Sequence, residues 1–385
     1  MVNLYFYCII LLGELYEENC MSIETELKKN GIEVIKELDS YTIDQIAQKV
    51  ANRLYQTFPN YGFSEEEIYS KLSNLNMYKA KMPEGMSEAN YFYKNSSIYF
   101  NINIPNEDLE EFAVHECIHH LQEVKDKKNN LVKMGLSDYS DSDVYGLGLN
   151  EAAVQLMACK AIGIQKDFVK YFDINFESIS PSYYPLECCL VNQLAYLLGE
   201  DVLFESTLNS NNNFKEKFIS EMSIKTYICV QNALDSILEA EENIIKLNNK
   251  ILEFDERNKR CENMSEKINE IKSEILLTFL KTQNQIISSY FNSSFKKIKT
   301  LEDVEKYRRK LYNFKDYLGS TDGYTFYHNY YVEQMAALEH KYNILENGGT
   351  ETALQVSNKK QNWFTLIINK IKSLFEKKEV IKESK

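Results

Sequence analysis

The sequence predicts an α+β fold that is mostly α-helical, with a small antiparallel sheet followed by a long helical hairpin. Three observations lead to this prediction. Glycine and proline are scarce, at 13 and 5 of 385 residues, which disfavours the many turns of an all-β sandwich or barrel. Long stretches carry apolar residues at helical spacing. One short stretch carries the aromatic and β-branched runs of a β-hairpin.

The first predicted elements are helices. Residues 22–58 read as two helices, the second of them capped by Thr42, and residues 64–74 read as a shorter one. Residues 91–105 then carry two aromatic and β-branched runs on either side of an Asn-Ser-Ser turn, which predicts a β-hairpin.

A helix is predicted to begin near Asn106 and to continue to about residue 128. Acidic residues crowd its first turns and lysines its last, as the helix dipole favours. A mostly polar loop with several glycines follows, over residues 135–148. Asn150 then caps a new helix with the sequence EAAVQLMACKAIG.

Heptad spacing dominates the second half of the chain from about residue 223. Two apolar positions recur every seven residues over four repeats, the first of them at Val230, Ile237, Ile244 and Ile251. The pattern breaks at residues 255–261 and resumes over 264–275. We therefore expect two long helices folded as an antiparallel hairpin, with an intermolecular coiled coil as the alternative. Further helices are expected over 301–317 and 329–345.

The two ends of the chain differ from the rest. Residues 1–20 begin with an apolar run that no basic residue precedes and no cleavage site follows, so we interpret it as a buried element, or as sequence upstream of a true start at Met21. Residues 347–361 read as a polar linker. Residues 362–385 read as a basic amphipathic helix, whose apolar face can lie on an anionic membrane, in a partner's groove or on its own protein.

Charge and cysteine content restrict the function and the compartment. The net charge of −13 argues against a general nucleic-acid-binding protein, which needs basic surface to displace counterions. The eight cysteines contain no CxxC pair and are too sparse for a disulfide scaffold. We therefore expect reduced thiols in a cytoplasmic protein.

Residues 115–119, His-Glu-Cys-Ile-His, match the HExxH pattern on a predicted helix. Residues at i and i+4 share one helix face, so His115 and His119 can reach the same metal ion with Glu116 beside it. Zinc takes such nitrogen ligands at about 2.0–2.1 Å and lowers the pKa of a bound water to about 7. Glu116 could then take the proton of that water and pass it to a leaving amine.

A third ligand is available at Glu151, in the sequence Gly-Leu-Asn-Glu-Ala-Ala at the start of the next predicted helix. With this glutamate, the chain resembles the gluzincins, the zincin metallopeptidases that have HExxH and a distant glutamate ligand. The resemblance covers about residues 90–165. It implies a zincin-like catalytic domain over 21–215, followed by the helical-hairpin domain over 216–346.

The resemblance also implies the roles of individual residues: His115, His119 and Glu151 as Zn²⁺ ligands and Glu116 as general base. Many gluzincins have an aspartate four residues after the glutamate, bonded to the first histidine, whereas this chain has Gln155. A zincin needs a donor for the oxyanion, for which Tyr145 is our choice.

Several other residues are alternatives for these roles. Glu123 is a rival third ligand, while His120 and Cys117 are expected to lie off the metal. The other candidates for the oxyanion donor are Tyr139, Tyr183, Tyr184 and His328.

Two functions are therefore compatible with the sequence. The first is a zinc metallopeptidase that acts on a peptide or protein substrate, including a regulatory protease that cuts one protein. The second is a helical interaction or scaffold protein with a structural or vestigial zinc site, since residues 223–345 show helical patterning without chemistry. Ordered, fully helical residues 223–345 together with a closed, water-free metal site would favour the second.

Overall fold

In a computed structural model of the chain, helices predominate and three small sheets lie between them in the part that is described. The structure describes residues 22–83, 85–140, 143–171, 174–252, 259–318 and 325–347. The expectations for residues 1–20, for the linker beyond residue 347 and for the basic tail 362–385 lie outside these residues.

Three helices and a four-stranded sheet come first. They are α1 (Ile23–Lys29), β1 (Glu33–Glu37), α2 (Ser40–Thr57), α3 (Glu65–Leu72), β2 (Asn76–Lys81), β3 (Ala89–Phe92) and β4 (Ser97–Asn101). The strand order is β1–β2–β4–β3, and β3 with β4 forms the predicted antiparallel hairpin. β2 and β4 run parallel, so this sheet is mixed rather than wholly antiparallel. β3 is an edge strand.

The helix predicted near residue 22 is shorter than expected. Gly31 has a φ of +74°, which ends α1, and the residues that follow form β1 instead of continuing the helix. The N-cap of α2 is Asp39 rather than Thr42, because the Asp39 side chain accepts a hydrogen bond of 2.9 Å from the Thr42 backbone N–H.

The HExxH helix is also shorter than predicted. It is preceded by a 3₁₀ turn (Asn106–Asp108), and the elements that follow are α4 (Leu109–Leu121), β5 (Glu123–Lys125), β6 (Leu131–Met134), β7 (Ser137–Tyr139), β8 (Val144–Tyr145) and α5 (Leu147–Ile162). The carboxylate of Asp126 accepts backbone N–H bonds of 2.8 Å from Lys128 and Asn130, which makes the turn between β5 and β6. The predicted polar loop contains β7 and β8, which form an antiparallel sheet with β5 and β6.

Asn150 does not cap α5 as predicted. The helix begins at Leu147 after Gly146, whose φ is +81°. Asn150 is fully buried one turn later, where its side-chain oxygen accepts a 3.0 Å bond from the backbone N–H of Leu136. This residue therefore ties the helix to the β6–β7 turn.

The rest of the chain contains a two-stranded sheet and seven helices in the described part. They are β9 (Asp167–Tyr171), β10 (Ile174–Ser178), α6 (Pro185–Leu198), α7 (Glu200–Asn209), α8 (Asn213–Glu221), α9 (Ile224–Leu252), α10 (Lys259–Lys296), α11 (Leu301–Leu318) and α12 (Thr325–Glu346). α9 and α10 form the predicted antiparallel hairpin, since Thr226 at the start of one bonds to Ser289 near the end of the other. Within the described ranges, no helix is long and apolar enough to cross a lipid bilayer.

One hydrophobic core joins the two halves of the chain. Buried residues of α4 and α5, such as Val114 and Val154, belong to the same cluster as Leu234 and Ile237 of α9 and Phe279 of α10. α9 packs directly on α5, and α10 packs on α6. The hairpin is therefore part of the framework that holds α5.

Candidate metal centre

His115, His119 and Glu151 converge at the interface between α4 and α5. The two histidine Nε2 atoms are 3.0 Å apart. Glu151 lies 3.3 Å from His115 Nε2 through Oε2 and 3.4 Å from His119 Nε2 through Oε1. All three residues are buried, and together they form a group that can hold a metal ion.

The spacing and protonation of this group suit a metal ion. A tetrahedral ion with bonds of about 2.0–2.1 Å holds its donor atoms about 3.3 Å apart, which matches the three separations. Burial alone would raise the pKa of Glu151, but His119 and His115 outweigh it and lower that pKa to about 2. Glu151 is therefore a carboxylate at neutral pH. Among the described residues, its Oε1 atom is buried without a hydrogen-bond donor.

Gln155 orients the first histidine. Its side-chain oxygen accepts a 2.9 Å bond from His115 Nδ1, and its amide nitrogen donates a 3.1 Å bond to Ser180 Oγ. Because Nδ1 carries the proton in this arrangement, the lone pair of Nε2 points towards the other two donors. The glutamine thus contacts the first histidine from the position four residues after Glu151.

Glu116 lies between the metal-binding group and the edge strand. It is 3% exposed, and its Oε2 atom accepts a 2.7 Å bond from the backbone N–H of Tyr91 on β3. This bond fixes the carboxylate at the wall of a cleft that also exposes His115.

The space in the cleft is about 570 Å³ when its open mouth is included. Its walls are the start of β3, one side each of α4 and α5, and the segment before α6. The lining residues are Ser87, Glu88, Ala89, Glu111, Phe112, His115, Glu116, Gln155, Ala158, Ile162, Ile164, Tyr183 and Tyr184.

Tyr145, the residue that we expected as oxyanion donor, lies elsewhere. It is 51% exposed on β8 and is not among the residues that line the cleft. Tyr183 and Tyr184 do line it, and the Tyr184 ring stacks on His115 with 6.2 Å between ring centroids. With 27 tyrosines in the chain, no sequence signal separates these from the others.

The other candidate residues lie off the metal-binding group. Glu123 is on β5, where it accepts a 2.6 Å bond from the Tyr91 hydroxyl and pairs with Lys125. His120 also bonds to the Tyr91 hydroxyl, and Cys117 is fully buried in the core, as expected. His328 is exposed on α12.

No local pattern in the sequence predicts the contact between α9 and the start of α5. The carboxylate of Asp235 accepts 2.8 Å bonds from the backbone N–H groups of both Gly146 and Gly148. A Cβ atom at Gly148 would lie 2.5 Å from the backbone oxygen of Leu234, so only glycine permits this approach. Through these contacts, α9 supports the helix that carries Glu151.

Comparisons with protein-family models, curated proteins and solved structures found no match for this chain.

Proposed function

We propose that this protein is a zinc-dependent metallopeptidase of the gluzincin type, with His115, His119 and Glu151 as metal ligands and Glu116 as general base. The observation that carries the proposal is a buried His-His-Glu group beside an open cleft, with a second carboxylate at the cleft wall. Two imidazoles and one carboxylate are a ligand set found in catalytic zinc sites.

The openness of the cleft favours a catalytic site over a structural one. Structural zinc sites are closed by four protein ligands, whereas catalytic sites have three and leave one position accessible. Here the described residues supply three donors, and His115 borders the cleft. This arrangement supports an accessible site over the closed site that an interaction protein with a structural zinc would have.

The ion would polarise the substrate carbonyl and lower the pKa of a water molecule. Glu116, held by the Tyr91 N–H, would serve as the base for that water and as the acid for the leaving amine. Tyr183 and Tyr184 both line the cleft, and because the Tyr183 hydroxyl donates to Glu88, Tyr184 is our candidate donor to the developing oxyanion.

The edge strand β3 provides a place for an extended substrate. Its paired side faces β4, and residues at its start line the cleft. A peptide that lies along the unpaired side could bond as an added strand to backbone groups other than the Tyr91 N–H, which already bonds to Glu116. Its scissile bond would then pass close to Glu116.

The test is a comparison of wild type, Glu116→Gln and Glu151→Ala. We expect about one zinc per chain by elemental mass spectrometry in wild type and Glu116→Gln, and much less in Glu151→Ala. Only wild type should cleave a quenched-fluorescent peptide library, and a chelator should stop it. Cleavage by Glu116→Gln at the wild-type rate would contradict the mechanism. Zinc retained by Glu151→Ala would place the third ligand elsewhere.

A further inference from the structure

The cleft beside the metal-binding group combines apolar and acidic walls. Phe112, Ala158, Ile162 and Ile164 provide the apolar part. Glu88 and Glu111 add carboxylates, and none of the thirteen lining residues is a lysine or an arginine. A ligand that enters the cleft therefore meets negative charge and aliphatic surface together.

The two carboxylates lack charge partners in the described residues. Glu88 accepts a hydrogen bond from the Tyr183 hydroxyl, a neutral donor, and neither Glu88 nor Glu111 has a cation within 4.0 Å there. The neighbouring Glu110 differs, because Lys49 and Arg53 both pair with it on another side of α4. The position of Glu111 thus leaves its charge available to a ligand.

A bound metal ion does not cancel this charge. The two positive charges of a zinc ion are offset by the carboxylates of Glu151 and Glu116. The charges of Glu88 and Glu111 remain, so the cleft is negative in the metal-loaded protein as well. Such a field attracts cations and repels anions.

We propose that the substrates of this site are peptides with lysine or arginine beside the scissile bond. This inference rests on the proposed function and adds a substrate class to it. The aliphatic stem of such a side chain packs on Phe112 and Ile162, while its charged end reaches Glu88 and Glu111 at the polar part of the wall. An acidic side chain would meet the same two carboxylates and be repelled.

The first experiment measures binding without turnover. Three fluorescent peptides of one sequence carry lysine, glutamine or glutamate on both sides of the central bond, and each is titrated into zinc-loaded Glu116→Gln. We expect the lysine peptide to bind on the order of tenfold more tightly than the glutamate peptide, as two partly exposed ion pairs allow. This ratio should shrink as salt is raised from 0.05 to 0.5 M, because salt screens such pairs.

The second experiment assigns the preference to residues. In the Glu116→Gln background, Glu88→Gln together with Glu111→Gln should bring the lysine-to-glutamate ratio to 1 or below, because Glu151 alone then offsets the charge of the zinc ion. Glutamine at position 88 still accepts the Tyr183 hydroxyl bond, which limits structural change. Glu239→Gln, an exposed glutamate on α9, is the matched control and should leave the ratio unchanged. The kcat/KM of wild type should follow the same order of peptides.

The outcomes separate this inference from the proposed function. Equal binding of the three peptides, or a lysine preference that survives in the double variant, would overturn the inference even if peptides are cleaved. Charge-selective binding with no cleavage of any peptide by wild type would overturn the peptidase function and leave the preference for cations supported.

Discussion

Asp235 is the residue through which α9 holds the start of the Glu151 helix, and its replacement by alanine tests that support. The substitution leaves the N–H groups of Gly146 and Gly148 without their acceptor. An unsatisfied buried donor costs about 1–3 kcal/mol, and loss of a helix N-cap about 0.5–2 kcal/mol. Because both bonds are only partly buried, water can replace the carboxylate in part. We therefore expect a loss of about 2 kcal/mol in the free energy of unfolding.

The same change should weaken metal binding. Glu151 lies three residues after Gly148, so local opening at the start of α5 would remove the third ligand from its position. If the whole 2 kcal/mol appeared in that opening, metal affinity would fall by roughly thirtyfold. We expect a decrease of about 5- to 30-fold, since part of the loss appears as global destabilisation.

Two assays measure these effects separately. Urea unfolding of the metal-free protein, followed by circular dichroism, gives the free energy of unfolding. Competition with a chromophoric chelator gives the zinc affinity. Asp235→Asn retains one acceptor oxygen and should be intermediate, while Glu239→Gln on the same helix is the control. If Asp235→Ala matched wild type within about 0.5 kcal/mol and bound zinc equally well, the supporting role of α9 would be refuted.

Other predictions concern Gln155, the buried carboxyl groups of Glu187 and Glu241, a chain that ends at residue 215, and deletion of residues 362–385. Gln155→Leu removes the partner of the first histidine and should weaken zinc binding about 10- to 100-fold in the same chelator assay. Burial raises the pKa of Glu187 and Glu241, so the folded state binds more protons than the unfolded state and stability should fall as pH rises. Glu187→Gln should reduce the difference between the urea midpoints at pH 6 and pH 8. An unchanged difference would contradict the assignment of this pH dependence to Glu187. A chain that ends at residue 215 should show no cooperative unfolding transition by circular dichroism. Deletion of 362–385, which lies outside the described residues, should reduce sedimentation with anionic vesicles, and unchanged sedimentation would remove the membrane interpretation.

The HExxH helix, the hairpin before it and the long helical hairpin could be predicted because each has a local signal. Periodicity of apolar residues and short-range turn chemistry depend only on neighbours in the chain. Glu151 could also be predicted as a ligand, because it is a residue type that binds metals and it lies at the start of a predicted helix. Gln155 was identified only through the resemblance to the gluzincins, in which an aspartate follows the glutamate by four residues. The grouping of His115, His119 and Glu151 in the structure agrees with these expectations.

The parts that could not be predicted depend on contacts between distant residues. The helix predicted to reach residue 128 ends at Leu121, and one reason lies far along the chain: the buried side chain of Gln122 donates to the Thr207 carbonyl at 2.8 Å. Asn150 had the residue type of a cap, yet Asp235 supplies the capping contact from α9. Likewise, Tyr183 and Tyr184 line the cleft only because of the way the segment before α6 packs. No local pattern encodes these pairings.

The packing of α9 on α5 links the two hypotheses about function, a metallopeptidase and a protein that recruits partners. If the hairpin were a separate recruiting domain, the metal site would be indifferent to it. Instead, Leu234, Ile237 and Leu238 are at most 1% exposed in the core shared with α5. Burial of three such side chains contributes about 5–9 kcal/mol, which is comparable to the whole stability of a typical domain. A partner that displaced α9 would therefore disturb Glu151, so any recruiting role of the hairpin would be coupled to metal binding.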